Sequence, residues 1–416
     1  MIKTIVGEME NGDKMRVLLW RAGSFGRKSP SDHLLVAMIK ALCYEGHTVH
    51  ILQQGTVGTE AVLPDELQGL GITTEAAPFR QQEKQNFIGR YIAAMLFVLS
   101  CWKYIRKKDC YDAVYLHSTN VAGAALLVLR IKLGKKVPVT YGVQDIFPYN
   151  AVYSGHLSKN GIPFRILAAI QRYAYREADR IATISEDMRD LLVEDGVTPE
   201  KIECIYNWSY RDAPYVAEEM DCSVAQGMFP KTHFNVVYAG NIGIMQNVDI
   251  VVSTAKLMQD ENDILFHIVG DGAYKEKLQK EAEGMENVRF HPMQSSELAP
   301  SLYITADVNV IPLVKGVYRT ALPSKTATCL ACGKPIIMAI GKESRFGKAV
   351  EETGACVVTE SDSPKEMRDA LLQIKAAKLG RSGTTFFEEN LSITRNSRRY
   401  AEVITSQRAS ANKLAL

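Results

Sequence analysis

VLLWRAGSFGRKSPSDHLLVAMIKALCYEGHTVHIL, residues 17–52, holds the pattern on which the fold turns. A short apolar run, Val17 to Trp20, leads into a glycine-bearing loop, an amphipathic stretch from Leu34 to Leu42 and a second apolar run from Thr48 to Leu52. Strand-length runs rich in Val, Ile, Leu and Tyr, separated by helix-length stretches, read as parallel βαβ units. The rhythm continues through Ala113 to Leu116, Val137 to Tyr141, Arg180 to Ile184 and Ile202 to Tyr206, enough for one doubly wound sheet. Between Ser209 and Lys231 it breaks into a polar, aromatic, proline-bearing segment, and a new strand starts at Phe234. The second half repeats the rhythm with Asn235 to Ala239, Ile264 to Val269, Val288 to Phe290, Val308 to Ile311, Pro335 to Met338 and Cys356 to Val358. The expectation is an α/β protein of two Rossmann-like, doubly wound domains facing a central cleft.

Length and composition agree with that pattern. A chain of 416 residues suits two domains of ordinary size, and 46% apolar with 23% charged residues is the balance of a globular protein. A net charge of +2 supplies no field that would draw the chain onto nucleic acid, so no nucleic-acid partner is expected. The eight cysteines are scattered and stand mostly in apolar runs, as buried thiols of a reducing compartment do, which points to the cytoplasm. Cys329 and Cys332 have CxxC spacing, but no second pair or placed histidines complete a metal site. Residues 1–14 read as a flexible leader without a secretory apolar core. The longest apolar run, Phe87 to Trp102, carries Arg90 and is shorter than the roughly 20 residues of a membrane span.

In open α/β sheets ligands sit beyond the carboxyl ends of the strands, so the loops there carry the chemistry. The most informative segment is Leu322-Pro323-Ser324-Lys325 through Gly333-Lys334-Pro335, a punctuated helix with Ser324 as N-cap, Gly333 at the C-terminal cap and Pro335 as a stop. Lys325 adds a cation to a helix N-terminus that already disfavours one, which an anionic ligand explains; a solvated lysine is the bland alternative. The loops Gly23 to Gly26, Gly240-Asn241-Ile242-Gly243 and Gly270-Asp271-Gly272 each follow a strand. They suit close approach of backbone to phosphate, or plain tight turns. His117, followed by Ser118-Thr119-Asn120, and Asp145 also stand just beyond strands. Each is a candidate site residue or, equally simply, a hydrogen-bonded histidine and a turn carboxylate. Phe87 to Lys108 spaces Phe87, Tyr91, Met95, Val98, Trp102 and Ile105 ahead of Lys103, Arg106, Lys107 and Lys108. It is either a core helix with a solvated end or a patch for an anionic inner-membrane surface.

Taken in order, these landmarks resemble the retaining glycosyltransferases of family 4. Further pieces are Gly46-His47-Thr48-Val49, Ile184-Ser185-Glu186-Asp187-Met188 and Lys201 to Asn207. The resemblance implies a GT-B fold with a nucleotide-sugar donor held mainly by the C-terminal domain and an acceptor mainly by the N-terminal one. It also implies no bound metal or other cofactor. The domains on this reading are an acceptor domain over 15–208, a linker over 209–232, a donor domain over 233–384, and a terminal helix and tail over 385–416 that return to the first domain through Phe386, Phe387, Leu391, Tyr400, Val403 and Ile404.

The family's two glutamates, with seven residues between them, are replaced here by Thr320 and Thr328, and its Arg and Lys after the first strand of the second domain by Asn241 and Gln246. In these features the chain looks like a subset similar to transferases of N-acetylfucosamine-type sugars in surface polysaccharide assembly. The resemblance then assigns Lys325, Ser324 and the Gly240 to Gly243 loop to the diphosphate, Gly270 to Gly272 to the base, and threonine hydroxyls to ribose or sugar. His117 falls beside the reacting sugar, and Asp145 orients hydroxyls. The implied acceptor is a glycan or a lipid-diphosphate-linked oligosaccharide, handled by a cytoplasmic enzyme at the inner face of the membrane. Two rivals remain at this level, a nucleotide-sugar epimerase on the same fold and a non-catalytic sugar-nucleotide-binding subunit.

Overall fold

The structure is a computed structural model that describes residues 14–26, 32–55, 61–79, 87–105, 111–117, 121–134, 137–377 and 383–406. It contains thirteen strands among these residues. The first seven are β1 (Arg16–Arg21), β2 (Thr48–Gly55), β3 (Ile72–Pro78), β4 (Ala113–His117), β5 (Val139–Val143), β6 (Arg180–Thr183) and β7 (Ile202–Cys204). They form a sheet in the order β3-β2-β1-β4-β5-β6-β7. The other six are β8 (Phe234–Ala239), β9 (Ile264–Val269), β10 (Val288–His291), β11 (Val308–Pro312), β12 (Ile336–Ala339) and β13 (Cys356–Thr359), ordered β10-β9-β8-β11-β12-β13. The pairings β1 with β2 and β4, and β8 with β9 and β11, are parallel. Each sheet therefore reverses its winding at one place, between β1 and β4 in the first and between β8 and β11 in the second. That is where open α/β sheets leave a crevice for ligand.

Burial explains why the strands read as continuous apolar runs. Along β8, Val236 and Tyr238 enter one core cluster and Val237 and Ala239 another, as a period of two demands of a strand covered on both faces. The same alternation separates Ile268 from Val269 on β9. The chain divides into two compact units, one of residues 1–142, 174–181 and 400–416, the other of 143–173 and 182–399.

Three elements differ from expectation. Strand β3, ITTEAAP, carries few apolar residues and only Ala77 is fully buried, so no apolar run announces it. The segment expected as a plain linker holds a short helix, Ser223–Met228, whose Ala225 and neighbours Cys222 and Phe229 are core residues of the second unit. The single helix expected at the start of 385–416 is two, Gly383–Asn390 and Ile393–Thr405. Asp212 accepts bonds from Ser392 and Thr394 at the break. Phe386, Phe387 and Leu391 accordingly pack in the core of the second unit, whereas Tyr400 belongs to the first and meets Tyr115 edge-on at 6.2 Å. Residues 1–13, 106–108 and 118–120, on which the leader, part of the basic cluster and the polar run after His117 fall, lie outside the described residues.

Candidate functional site

The loops after β8 and β9 interlock within the second unit. Ile242 N–H donates to Asp271 O at 2.8 Å, and Tyr274 N–H donates to Ile242 O at 3.1 Å. A Cβ at Gly270 would stand 2.0 Å from Gly240 O, and one at Gly272, where φ is +152°, 2.3 Å from Ile242 O. Loop-to-loop packing therefore requires glycine at both positions. Asp271 uses one carboxylate oxygen to accept from Gly272 N–H at 2.9 Å. Gly243 leaves room for a side-chain pair, Asn241 Nδ2 donating to Gln246 Oε1 at 3.0 Å.

Against this loop lies Lys325, the first residue of the helix Lys325–Ala331. Its Nζ is buried, has no hydrogen-bond partner, and stands 3.8 Å from the centroid of the Tyr238 ring. A Cβ on Gly240 would lie 2.7 Å from Nζ, so only glycine, at φ +147°, fits there. Tyr238 itself is fully buried and donates its hydroxyl to Asn241 O at 2.5 Å. Burial lowers the ammonium from 10.5 to about 8. A buried cation held only by an aromatic face is under-satisfied, and an arriving anion supplies what is missing. Tyr238 is the member of this group that sequence reading missed; its place one residue before Ala239 and the glycine loop was the available signal.

Other expected residues are placed differently. Ser324 occupies the N-cap position with α-helical backbone angles, and its exposed side chain caps nothing, since a capping oxygen needs extended backbone to reach the first turn. Thr320 is buried and donates to Val317 O at 3.0 Å, and Thr328 is buried with its hydroxyl 3.3 Å from Ser209 Oγ. Each hydroxyl thus has one contact within the fold.

Asp145 joins this neighbourhood through the backbone. It bridges Ala321, and Ile146 N–H donates to Thr320 O at 2.9 Å, beside the segment that runs into Lys325. Desolvation of its carboxyl by the surrounding protein raises it from 3.8 to about 6.

His117, Gly23 and Gly26 belong to the first unit. His117 ends β4 in register with Arg21 at the end of β1. Its Nδ1 is 3.4 Å from Tyr115 OH, whose oxygen fits only because residue 142 is glycine, where a Cβ would stand 2.0 Å away. Burial, and then the Arg21 charge, lower the imidazole to about 3, so it is neutral at physiological pH. Gly23 lies over the Arg21 side chain and gives its carbonyl to Gln54 N–H, while Gly26 N–H donates to Ser24 Oγ at 3.1 Å. Among the described residues no group of His, Cys, Asp and Glu could hold a metal ion, and no helix is long and apolar enough to cross a membrane.

Two parallel-sheet Rossmann-like domains of GT-B fold, together with matches to glycosyltransferase families over both halves, make the chain a glycosyltransferase. More particularly, the chain belongs with the proteins whose halves are a glycosyl transferase 4-like domain, matched by residues 35–208, and a glycosyl transferases group 1 domain, matched by residues 233–376. It is 26% identical over 332 residues to the probable glycosyltransferase WbjE of Pseudomonas aeruginosa, covering 77% of this chain and 81% of that one. Among solved structures it is similar to Alr3699/HepE of Anabaena in complex with UDP and glucose, with TM-score 0.63 and 16% identity over 97% of this chain and all of that one. It is similar also to sucrose-phosphate synthase of Thermosynechococcus elongatus, with TM-score 0.64 and 14% identity over 97% of this chain and 99% of that one.

Proposed function

We propose that this glycosyltransferase moves a sugar, with retention at the anomeric carbon, from a UDP-sugar to a glycan or lipid-diphosphate-linked acceptor in surface polysaccharide assembly. The observation that carries the donor half of this reading is the buried, unpartnered ammonium of Lys325 at the switch point of the second sheet. Departure of the sugar leaves negative charge on the diphosphate, and a preformed cation that gains its partner there stabilises the leaving group. Gly240 to Gly243, with Asn241 and Gln246 at its rim, offers the surrounding donors. His117, kept neutral, offers a hydrogen bond to the sugar rather than a proton. Asp145, ionised above about 6, accepts from a sugar or acceptor hydroxyl. The departing phosphate takes the acceptor's proton, so no separate base and no metal or other cofactor is needed. The similarity to HepE bound to UDP and glucose supports UDP as the donor nucleotide, and 30% identity over 223 residues to the putative colanic acid biosynthesis glycosyl transferase WcaI of Escherichia coli supports a polysaccharide pathway.

The acceptor side rests on an apolar face. On the helix Phe87–Cys101, Ala93, Ala94, Phe97, Val98 and Cys101 are buried, and Ile92, Leu96 and Leu99 are exposed. Trp102 extends this exposed stripe, and Leu127 and Ile131 of the helix Ala122–Leu133, packed alongside, widen it. Arg90 and Lys103 flank it, and Lys132 Nζ lies 4.9 Å from the Trp102 ring. Apolar side chains rimmed by cations suit an anionic leaflet, where a lipid-linked acceptor would wait. A thermal-shift screen of nucleotides and nucleotide sugars tests the donor reading: UDP compounds raise the melting temperature if it holds, and a flat response to every UDP and GDP compound removes it. Sedimentation with phosphatidylglycerol vesicles tests the surface, since Leu96→Ser with Leu99→Ser should abolish binding; equal binding by the double variant rules the face out.

A further inference from the structure

At the switch point of the first sheet stands a second under-satisfied cation. Arg21 is the last residue of β1, paired in register with His117, the last residue of β4. A charged residue that ends an apolar strand is normally expected to reach water, yet Arg21 is only 5% exposed. Two contacts fix its guanidinium: Nη2 donates to Asp32 Oδ1 at 2.8 Å, and the carbon of the group sits 4.1 Å from the centroid of Phe25. Phe25 is itself held, its N–H donating to the buried Gln53 Oε1 at 2.9 Å. Nε and Nη1 are buried and have no hydrogen-bond partner. The ion pair with Asp32 thus accounts for one nitrogen of three. No side chain stands at Gly23, the position whose Cβ would come 3.3 Å from Nη2 and 3.5 Å from Nε.

Buried N–H donors are almost always met by a partner, and a planar guanidinium held rigid with donors to spare is the group best shaped for carboxylate or phosphate oxygens. A purely structural ion pair needs neither the place at the strand reversal nor the open position over Nε.

We propose that Arg21 receives an anionic oxygen group of a substrate, phosphate or carboxylate, at the switch point of the first sheet beside His117. This rests on the glycosyltransferase reading for the identity of the substrate but not on Lys325. The group is either a diphosphate or the carboxylate of an acidic sugar. Burial first, and then the Arg21 charge, keep His117 in the neutral form in which that ring can donate to or accept from a sugar hydroxyl.

The test is the Kd of four probes, UDP, UDP-glucose, UDP-glucuronic acid and farnesyl diphosphate, for the full chain and for Arg21→Met, Arg21→Lys and Asp32→Asn. Removing a charge-assisted contact should weaken at least one probe tenfold or more in Arg21→Met, with partial recovery in Arg21→Lys. Loss shared by UDP and both sugars assigns the donor diphosphate, and loss confined to farnesyl diphosphate assigns an acceptor diphosphate. Loss confined to UDP-glucuronic acid assigns a sugar carboxylate. Asp32→Asn frees the cation from its competitor and should tighten the same probe severalfold, an opposite sign that a structural ion pair does not produce. Kd values within twofold of the parent for all four probes in a folded Arg21→Met overturn the proposal. If that variant does not fold, unchanged Kd values in Asp32→Asn overturn it. UDP binding that Lys325→Met abolishes, with all four probes unmoved by Arg21→Met, would sink this inference alone, whereas absence of any nucleotide binding by the parent would sink the donor reading as well.

Discussion

Replacing Lys325 by Met keeps much of the side chain's length and removes its charge. In the parent, Nζ is buried over the Tyr238 ring without a hydrogen-bond partner, and burial brings it to about 8. Two consequences of opposite sign follow. In the absence of ligand the variant loses an under-compensated buried cation, so its melting temperature should rise. With UDP it loses a charge-assisted contact worth about 1.5–3 kcal/mol, or about 10- to 150-fold in Kd. The pH dependence has a definite sign too. Between about 8 and 10.5 the unfolded chain keeps a proton here that the native chain has released, so this residue makes unliganded stability rise with pH across that window. UDP binding should behave oppositely, weakening about tenfold per pH unit above about 8 as the ammonium is lost, and Lys325→Met should flatten that limb. Isothermal titration from pH 7 to 10 with parallel thermal melts reads both. A folded variant whose Kd for UDP stays within twofold of the parent, or one that melts lower than the parent without ligand, refutes the reasoning.

Ser324→Ala should change stability by less than about 0.5 kcal/mol, because its side chain caps nothing, whereas Ser185→Ala should cost about 1 kcal/mol, because Ser185 Oγ accepts from Met188 N–H at 3.2 Å. Denaturant titration of the pair checks the contrast, and equal losses would contradict it. Gly272→Ala places a Cβ on backbone at positive φ and should destabilise the chain by about 2 kcal/mol or more; a neutral result would mean that the two loops are not locked together. Asp145→Asn should remove an acid limb with midpoint near 6 from the pH–rate profile of transfer, and survival of that limb would assign it elsewhere.

The alternation of apolar runs and amphipathic stretches made the two sheets legible, since strands buried on both faces write themselves as uninterrupted Val, Ile and Leu. β3 escaped because its side chains are mostly polar or small and half-buried, so burial leaves little trace in the residue types. The site was legible in part. Lys325 stood out because a lysine in a first turn opposes the helix dipole. Tyr238 and Arg21 did not, because an aromatic inside a strand looks like core and an arginine at a strand's end looks like solvent. Their meaning depends on what lies across the fold, Lys325 over Tyr238 and Asp32 with Phe25 around Arg21. The glycines of 270–272 illustrate the converse. Their conformational freedom was readable, but not that Gly240 O and Ile242 O, some 30 residues away, leave no room for a Cβ. Thr320 and Thr328 are similar: hydroxyls at family-matched positions were readable, and their contacts with Val317 O and Ser209 were not.

The most direct measurement is the titration of Lys325 itself by NMR of lysine-labelled protein, its signal identified by comparison with Lys325→Met. Without ligand its midpoint should lie near 8, and saturating UDP should carry it back toward the ordinary 10.5, because a phosphate oxygen then holds the charged form. A midpoint that UDP leaves unmoved while UDP binds would contradict the account.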